Sequence, residues 1–353
     1  MAIIITDEDA RQHLSMVECI EAMRVAFRDY ANGQAKTLPR VRYRAETPDP
    51  DYTYFCNVHV GAVPSYGMAC VRAGSNTLFD DGSNPDRKII SNPEPVNWTV
   101  IILYDLATAE PLAFLHESHL SGIRVGATSG AAVDAIARDD ASELGLFGTG
   151  RQARATIDAI CAVRPIERVR VYSPNEDHCR RFAELKARPG VAIDVVRDPR
   201  EVVAGADIVS CCTNASRPVF EGDWLEPGQM VVTVVNSDVT FKRNEVDETT
   251  FARATDIVVN DWASVESNGQ VELLDSIEKG LVDRARVFEL GDLLASKIEL
   301  HQTNDNLVFY KNNTGLGMQF AAAGAVIYNK IKDQKSNREV PREWLASEEY
   351  AQS

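Results

Sequence analysis

The stretch GLFGTGRQA, residues 145–153, spaces two glycines and an alanine as Gly148-x-Gly150-x-x-Ala153. An apolar run, ELGLFG, leads in, and an amphipathic run, RQARATIDAICAV, leads out. In that setting the first glycine permits a tight turn and the second lets a pyrophosphate approach the backbone. The alanine keeps the helix close to the sheet, so that phosphates meet the helix N-terminus. The pattern predicts a dinucleotide site built from Gly148, Thr149, Gly150, Arg151 and Gln152. An NAD site usually places Asp or Glu at the end of the next strand, to bind the ribose 2′-hydroxyl. Here VYSPN, residues 171–175, puts Ser173 there, and the first acid is Glu176. One repulsion against a 2′-phosphate is therefore absent, and Arg180, about a turn further on, could attract it. Ser173, Asn175 and Arg180 are the expected adenosine-side contacts, and Thr213, in the loop CCTNASRP, faces the cofactor. The expected cofactor is NAD(P), leaning to NADP.

Cations in apolar settings are the next group able to do chemistry. MACVRAGSN, residues 68–76, sets Arg72 in a small and apolar run. On a buried strand that charge needs an anionic partner, either from the chain or from a substrate. In RVRYR, an extended strand puts Arg40, Arg42 and Arg44 on one face and Val41 and Tyr43 on the other. HESH, residues 116–119, offers two histidines three apart, without further ligands or helical context, so a zinc site is not expected. Either histidine could carry a proton. The seven cysteines are scattered and contain no C-x-x-C pair, which predicts reduced thiols and a cytoplasmic compartment.

These residues need elements to hold them. SMVECIEAMRVAFRDYANG carries Val17, Ile20, Met23 and Phe27 at helical spacing, with Ser15 as N-cap and Gly33 beyond the end. Four β-type runs follow: RVRYRAE, YTYFCNVHVGAV, MACVRAG and WTVIILYD. From about residue 120, GIRVGATSGAAVDAIA reads as an alanine-rich helix, and strands then alternate with helices to about residue 305. That alternation implies a parallel sheet with crossover helices. The tail TGLGMQFAAAGAVIYNKI is a further small-residue helix. At 353 residues there is room for two domains. A formal charge of −15 argues against nucleic-acid or anionic-membrane partners. The N-terminus turns acidic after three apolar residues and does not read as a signal peptide, and no run reaches membrane-span length.

Several stretches together resemble the ornithine cyclodeaminase/mu-crystallin family. They are SGIRVGATSGAAVDAIARDDASELGLFGTGRQA, ADIVSCCTNASRPVFEGDWLEPGQMV and YKNNTGLGMQFAAAGAVIY, and the similarity covers most of residues 60–330. The resemblance implies an α/β fold: a Rossmann-type doubly wound parallel sheet plus a second α+β domain for substrate and dimer contacts. The expected layout is 1–122 for the first part of the second domain, 123–308 for the dinucleotide domain, and 309–353 for the return. A homodimer is implied. So is hydride transfer between a nicotinamide and a carbon bonded to nitrogen, on a small carboxylate-bearing amino or imino acid.

By the same resemblance, Arg124 falls where the family carries its substrate-carboxylate arginine, and Arg42 near a second substrate contact. Asp238, in VVNSDVTFKRNEVD, falls where amino-acid-processing members place the aspartate that binds the amine and activates water. Many relatives carry a lysine in Gly-x-Lys on the strand where this chain has Gly67-Met68-Ala69. Arg72, three residues on, is the expected substitute, a guanidinium awaiting a substrate carboxylate. That exchange disfavours ornithine and favours a dicarboxylic or larger imino acid. The leading reading is an NAD(P)-dependent amino-acid dehydrogenase or imine reductase. The alternatives are a cyclodeaminase that recycles NAD internally and a mu-crystallin-like NADPH-binding protein without turnover.

Overall fold

Ser15 starts the helix Met16–Ala31 with a capping box: its side chain accepts from the Glu18 N–H while Glu18 reaches back to the Ser15 N–H. A shorter helix, Asp7–His13, precedes it behind the same device on Thr6 and Asp9. The sequence reading misses that helix because two turns are too few to establish a periodicity. The computed structural model describes residues 1–79, 89–90, 98–235, 243–312, 315–334 and 338–346. The chain divides into two units, one of Met1–Asp81, Ile89–Ser121 and Leu316–Ser353, the other of Gly82–Lys88 and Gly122–Gly315.

The first unit holds a nine-stranded mixed sheet. Its central members are Tyr52–Val63, Met68–Phe79, Trp98–Asp105 and Pro111–His116, paired antiparallel in that order. Ala2–Ile5 joins parallel to Pro111–His116. Burial alternates along Trp98–Asp105, the pattern of a sheet with one covered face. The helix Gly317–Ile331 lies against Tyr52–Val63 and Met68–Phe79. Its approach is so close that a Cβ on Gly317 would overlap the Val60 carbonyl, and one on Gly61 would overlap the Met318 backbone. Only glycine serves at that crossing.

The second unit holds an eight-stranded sheet, every adjacent pair of which is parallel. In spatial order the strands are Ala192–Val195, Arg168–Tyr172, Glu143–Phe147, Ile208–Cys211, Met230–Thr233, Val308–Lys311, Asp256–Val259 and Val287–Glu289. Strand order reverses at Glu143–Phe147, between its neighbours Arg168–Tyr172 and Ile208–Cys211, the position where such sheets bind ligands. The expected α/β class and parallel sheet are thus present. Val308–Lys311 was not expected. It follows the region read as alternating and enters the sheet between two earlier strands. The helix Ser118–Ile136 follows the antiparallel strand Pro111–His116 in the chain, and residues 120–133 are all buried. It therefore begins inside HESH, so His119 does have a helical context.

Candidate functional site

The strand Glu143–Phe147 ends at Gly148, whose φ of 97° is a left-handed conformation that favours glycine. A Cβ there would also sit 2.5 Å from the Cys212 carbonyl oxygen. Gly150 then starts the helix Arg151–Val163 with no side-chain cap, and a Cβ on it would meet nothing within 4 Å. The helix therefore presents uncapped N–H groups to open space, the arrangement that receives a phosphate. Ala153 is fully buried, as its position in the motif requires.

A pocket of about 800 Å³ opens at this turn. Gly148, Thr149, Gly150, Arg151, Gln152, Ser173 and Thr213 line it, together with His178 and Asn214. Among the described residues that line it there is no Asp or Glu. The uncapped helix end, the open space beside Gly150 and the uncharged or basic described walls fit a dinucleotide. Two expected contacts lie elsewhere. Asn175 is an N-cap, its Oδ1 accepting the His178 N–H at 3.1 Å. Arg180 is an exposed helix residue paired with Glu176 at 2.5 Å and Asp177 at 3.1 Å. Arg197 and Arg180 together hold the Glu176 carboxyl below its usual range. Arg180 is thus engaged by acids of its own helix at i−4 and i−3 spacing.

Arg124 lies in the all-buried part of Ser118–Ile136 and is itself 8% exposed. Its guanidinium runs so close to Gly315 that a Cβ there would be 2.7 Å from Nη2. The Thr128 hydroxyl donates to the Arg124 carbonyl at 2.7 Å, and the Asn312 amide donates to the Val125 carbonyl at 2.9 Å. The backbone under Arg124 is therefore fixed on both sides. Gly122 and Gly126 bring the same helix against Arg151 and Ala155 of the nucleotide-side helix.

Arg72 differs from its expectation. Its Nη2 pairs with Glu117 Oε2 at 3.0 Å, both side chains being almost wholly buried. Nη1 donates to the Asn57 carbonyl at 3.3 Å and contacts His59 Nδ1 at 3.4 Å, and the guanidinium stands over the Phe320 ring. This arginine owns a carboxylate from its own chain, as a buried guanidinium must unless a ligand supplies one. Glu117 was missed because it stands 45 residues away, inside a tetrapeptide read for its histidines. Arg42 is half-buried on Val41–Glu46, opposite Asn57 and over the Phe55 ring. Arg40 precedes that strand rather than sharing its face. Asp238 lies outside the described residues.

His119 donates its backbone N–H to Asp7 at 2.5 Å, and its ring contacts Arg11 at 3.3 Å. Burial and the nearby Arg11 pull its imidazole pKa down despite Asp7. Among the described residues no three His, Cys, Asp or Glu side chains are grouped to hold a metal. Burial pushes the Cys212 thiol up to about 12 and the Cys211 thiol well above its ordinary value, so neither is a nucleophile at neutral pH. Sequence reading also missed a buried cluster: Glu245, Lys311 and Glu272. A Lys at the end of the apolar run LVFYK was its available signal, by the same logic as Arg72.

The model of the ornithine cyclodeaminase/mu-crystallin family matches residues 2–335. An alanine dehydrogenase of Archaeoglobus fulgidus is 26% identical, over 92% of this chain and 94% of its own. A Δ1-pyrroline-2-carboxylate reductase of Bacillus cereus is 27% identical, over 94% of this chain and 97% of its own. Among solved structures, the Δ1-pyrroline-2-carboxylate reductase of Thermococcus litoralis, in complex with NADH and L-proline, is 26% identical. It superposes with a TM-score of 0.81, covering 96% of this chain and 100% of that one. With the glycine turn, the reversal of strand order and the pocket beside it in place, the match over nearly the whole chain settles its kinship: this chain belongs to the ornithine cyclodeaminase/mu-crystallin family.

Proposed function

We propose that the protein is an NAD(P)-dependent oxidoreductase acting on the carbon–nitrogen bond of a small amino or imino acid. The observation that carries this reading is the pocket behind Gly148 and Gly150, with its uncapped helix end. The full-length kinship to reductases and dehydrogenases supports it. A bound nicotinamide supplies or accepts the hydride. The N–H groups at the start of Arg151–Val163 hold the pyrophosphate, and Thr149, Gln152 and Thr213 line its path. Ser173 and His178 flank the adenosine ribose. That no described lining residue is a carboxylate supports use of NADPH at least as readily as NADH, with His178, a lining residue, rather than Arg180 as the group offered to a 2′-phosphate.

Arg124 binds the α-carboxylate of the substrate through its planar fork and so orients the carbon–nitrogen centre. Asp238 takes up or returns the proton at nitrogen. Because Arg72 is neutralised by Glu117, the reading is of a monocarboxylate, not the dicarboxylic acid that an unpaired arginine would suggest. The exposed Ile4, Trp98 and Val100 of the first unit's sheet support a homodimer, and the seven free thiols support a reducing cytoplasmic compartment. Light scattering on the purified protein checks the dimer. The test of activity is the absorbance change at 340 nm with NADH and NADPH. Cyclic ketimine carboxylates, and 2-oxo acids with ammonia, are offered in turn. Turnover with one of these is expected. Ammonia release without net change at 340 nm would mark a cyclodeaminase instead, and tight cofactor binding without turnover a binding protein.

A further inference from the structure

Behind the pocket wall one carboxylate serves two strands. Glu245 is fully buried and does not line the pocket. Its Oε1 accepts the backbone N–H of Thr213 at 2.5 Å and the Thr213 hydroxyl at 2.8 Å. Its Oε2 accepts the N–H groups of Val234 at 3.1 Å and Val235 at 2.8 Å. Thr213 leaves the strand Ile208–Cys211, and Val234 and Val235 leave the neighbouring Met230–Thr233. Where parallel strands end, the ladder stops supplying acceptors and the next N–H groups need them from elsewhere. Glu245 supplies them to both exits at once. Thr213 passes the constraint on, because its hydroxyl also accepts the Ala215 N–H at 3.2 Å. The segment from Thr213 to Ala215 is pocket wall.

A charged group so placed needs compensation. Burial pushes the Glu245 carboxyl up, to about 7, while the N–H donors and the Lys311 ammonium oppose that rise. Lys311 sits on Val308–Lys311, directly opposite Thr233, and is itself ion-paired with Glu272. Burial draws the Lys311 pKa down to about 8, against the pull of Glu245. The three backbone N–H groups can only donate, and so favour the ionised carboxylate.

We propose that Glu245 is a positioning residue for the dinucleotide, joining the exits of two adjacent strands so that Thr213–Ala215 stands ready as the pocket wall. The inference rests on the reading that this pocket holds a nicotinamide dinucleotide. Glu245→Gln tests it. The amide keeps the shape but replaces one acceptor oxygen with a donor, so one of the two exits faces the wrong group whichever way it turns. The dissociation constants of NADH and NADPH are measured by fluorescence on the folded variant. Hydrogen exchange is followed over the peptide spanning Thr213–Ala215. The expected result is binding of both cofactors weakened about ten- to hundredfold, with faster exchange in that peptide. Affinity within about twofold of wild type, in a folded variant, overturns the proposal, because a merely stabilising glutamate would lower the melting temperature and leave affinity alone. If Glu245→Gln does not fold, Glu245→Asp is read instead, since it keeps the charge but shortens the reach by one methylene. Weakened binding there supports the proposal, and wild-type affinity overturns it. Failure of the wild-type protein to bind either cofactor would sink the reading of the pocket as well, whereas tight wild-type binding with an unaltered variant sinks this inference alone.

Discussion

In the nine-stranded sheet of the first unit, burial alternates: Thr99, Ile101 and Leu103 are buried while Trp98 and Val100 are exposed. In the eight-stranded sheet of the second unit, Ile208–Cys211, Met230–Thr233 and Val308–Lys311 are buried at every position. The two sheets also place their buried cations differently. Arg72 sits mid-strand and meets Glu117 and Phe320 to one side. Lys311 sits at the last position of its strand, with Glu272 and Glu245. A half-covered sheet has one face to spare, so a charge anywhere along a strand can reach a partner laterally. Strands covered on both faces, as these three are, admit charge only at their ends, where the ladder stops. That is why chemistry in the second unit concentrates at the carboxyl ends of its strands.

The largest expected effect tests whether charge at a built site outweighs charge in a scaffold. Arg124→Ala should lower kcat/KM by about a hundred- to thousandfold, since truncating one partner of a desolvated charge pair costs about 3–4 kcal/mol. The cofactor dissociation constant should hardly change. An unchanged kcat/KM would break the assignment. Next comes the scaffold pair. Glu117→Ala leaves Arg72 buried and uncompensated and should cost about 3–5 kcal/mol in chemical denaturation. A loss below about 1 kcal/mol would mean that the pair is open to solvent. Alternation itself is tested by adjacent residues. Ile101→Ala should cost about 2–4 kcal/mol and Val100→Ala about 0.5 kcal/mol in the monomer. Equal costs would mean that a partner covers the outer face.

The smallest effect lies on the surface of the first unit, where Lys330 pairs with Glu18 at 2.5 Å across two helices. The Lys330 ammonium, with Ser15, holds the Glu18 carboxyl down to about 2, against an ordinary 4.5. A depressed acid stabilises above its unfolded pKa and loses that contribution as pH falls through the folded one. Lys330→Ala should therefore cost less than about 1 kcal/mol near neutrality, and the difference from wild type should vanish between pH 4.5 and about 2. Melting curves across that range read it directly. A difference that persists at the acid end would show that the lysine acts through packing.

Legibility followed distance along the chain. The glycine turn was readable because its strand, turn and helix occupy adjacent residues, and the structure puts Gly148, Thr149, Gly150, Arg151 and Gln152 on the pocket. Ser15 was readable as a cap for the same reason. Asn175 and Arg180 were assigned to the cofactor by their place after a strand, but helix geometry gives them nearer partners, the His178 N–H and the acids Glu176 and Asp177. Val308–Lys311 went unread because its partners, Met230–Thr233 and Asp256–Val259, lie some fifty residues or more before it in the chain. Glu245 went unread because its four donors belong to strand ends, and nothing in KRNEVD says which strands adjoin.

Residue pattern alone dictated that a parallel α/β sheet carries a dinucleotide turn, because period, glycine spacing and helix start are local properties of the chain. It also determined that Arg72 must have an anion, because a buried guanidinium is unstable alone. That the anion is Glu117, and that one carboxylate, Glu245, serves two strand exits, follows from the folded arrangement alone. Pairing of buried charges depends on which distant segments become neighbours, and the pairing order of strands, not the residues themselves, sets that.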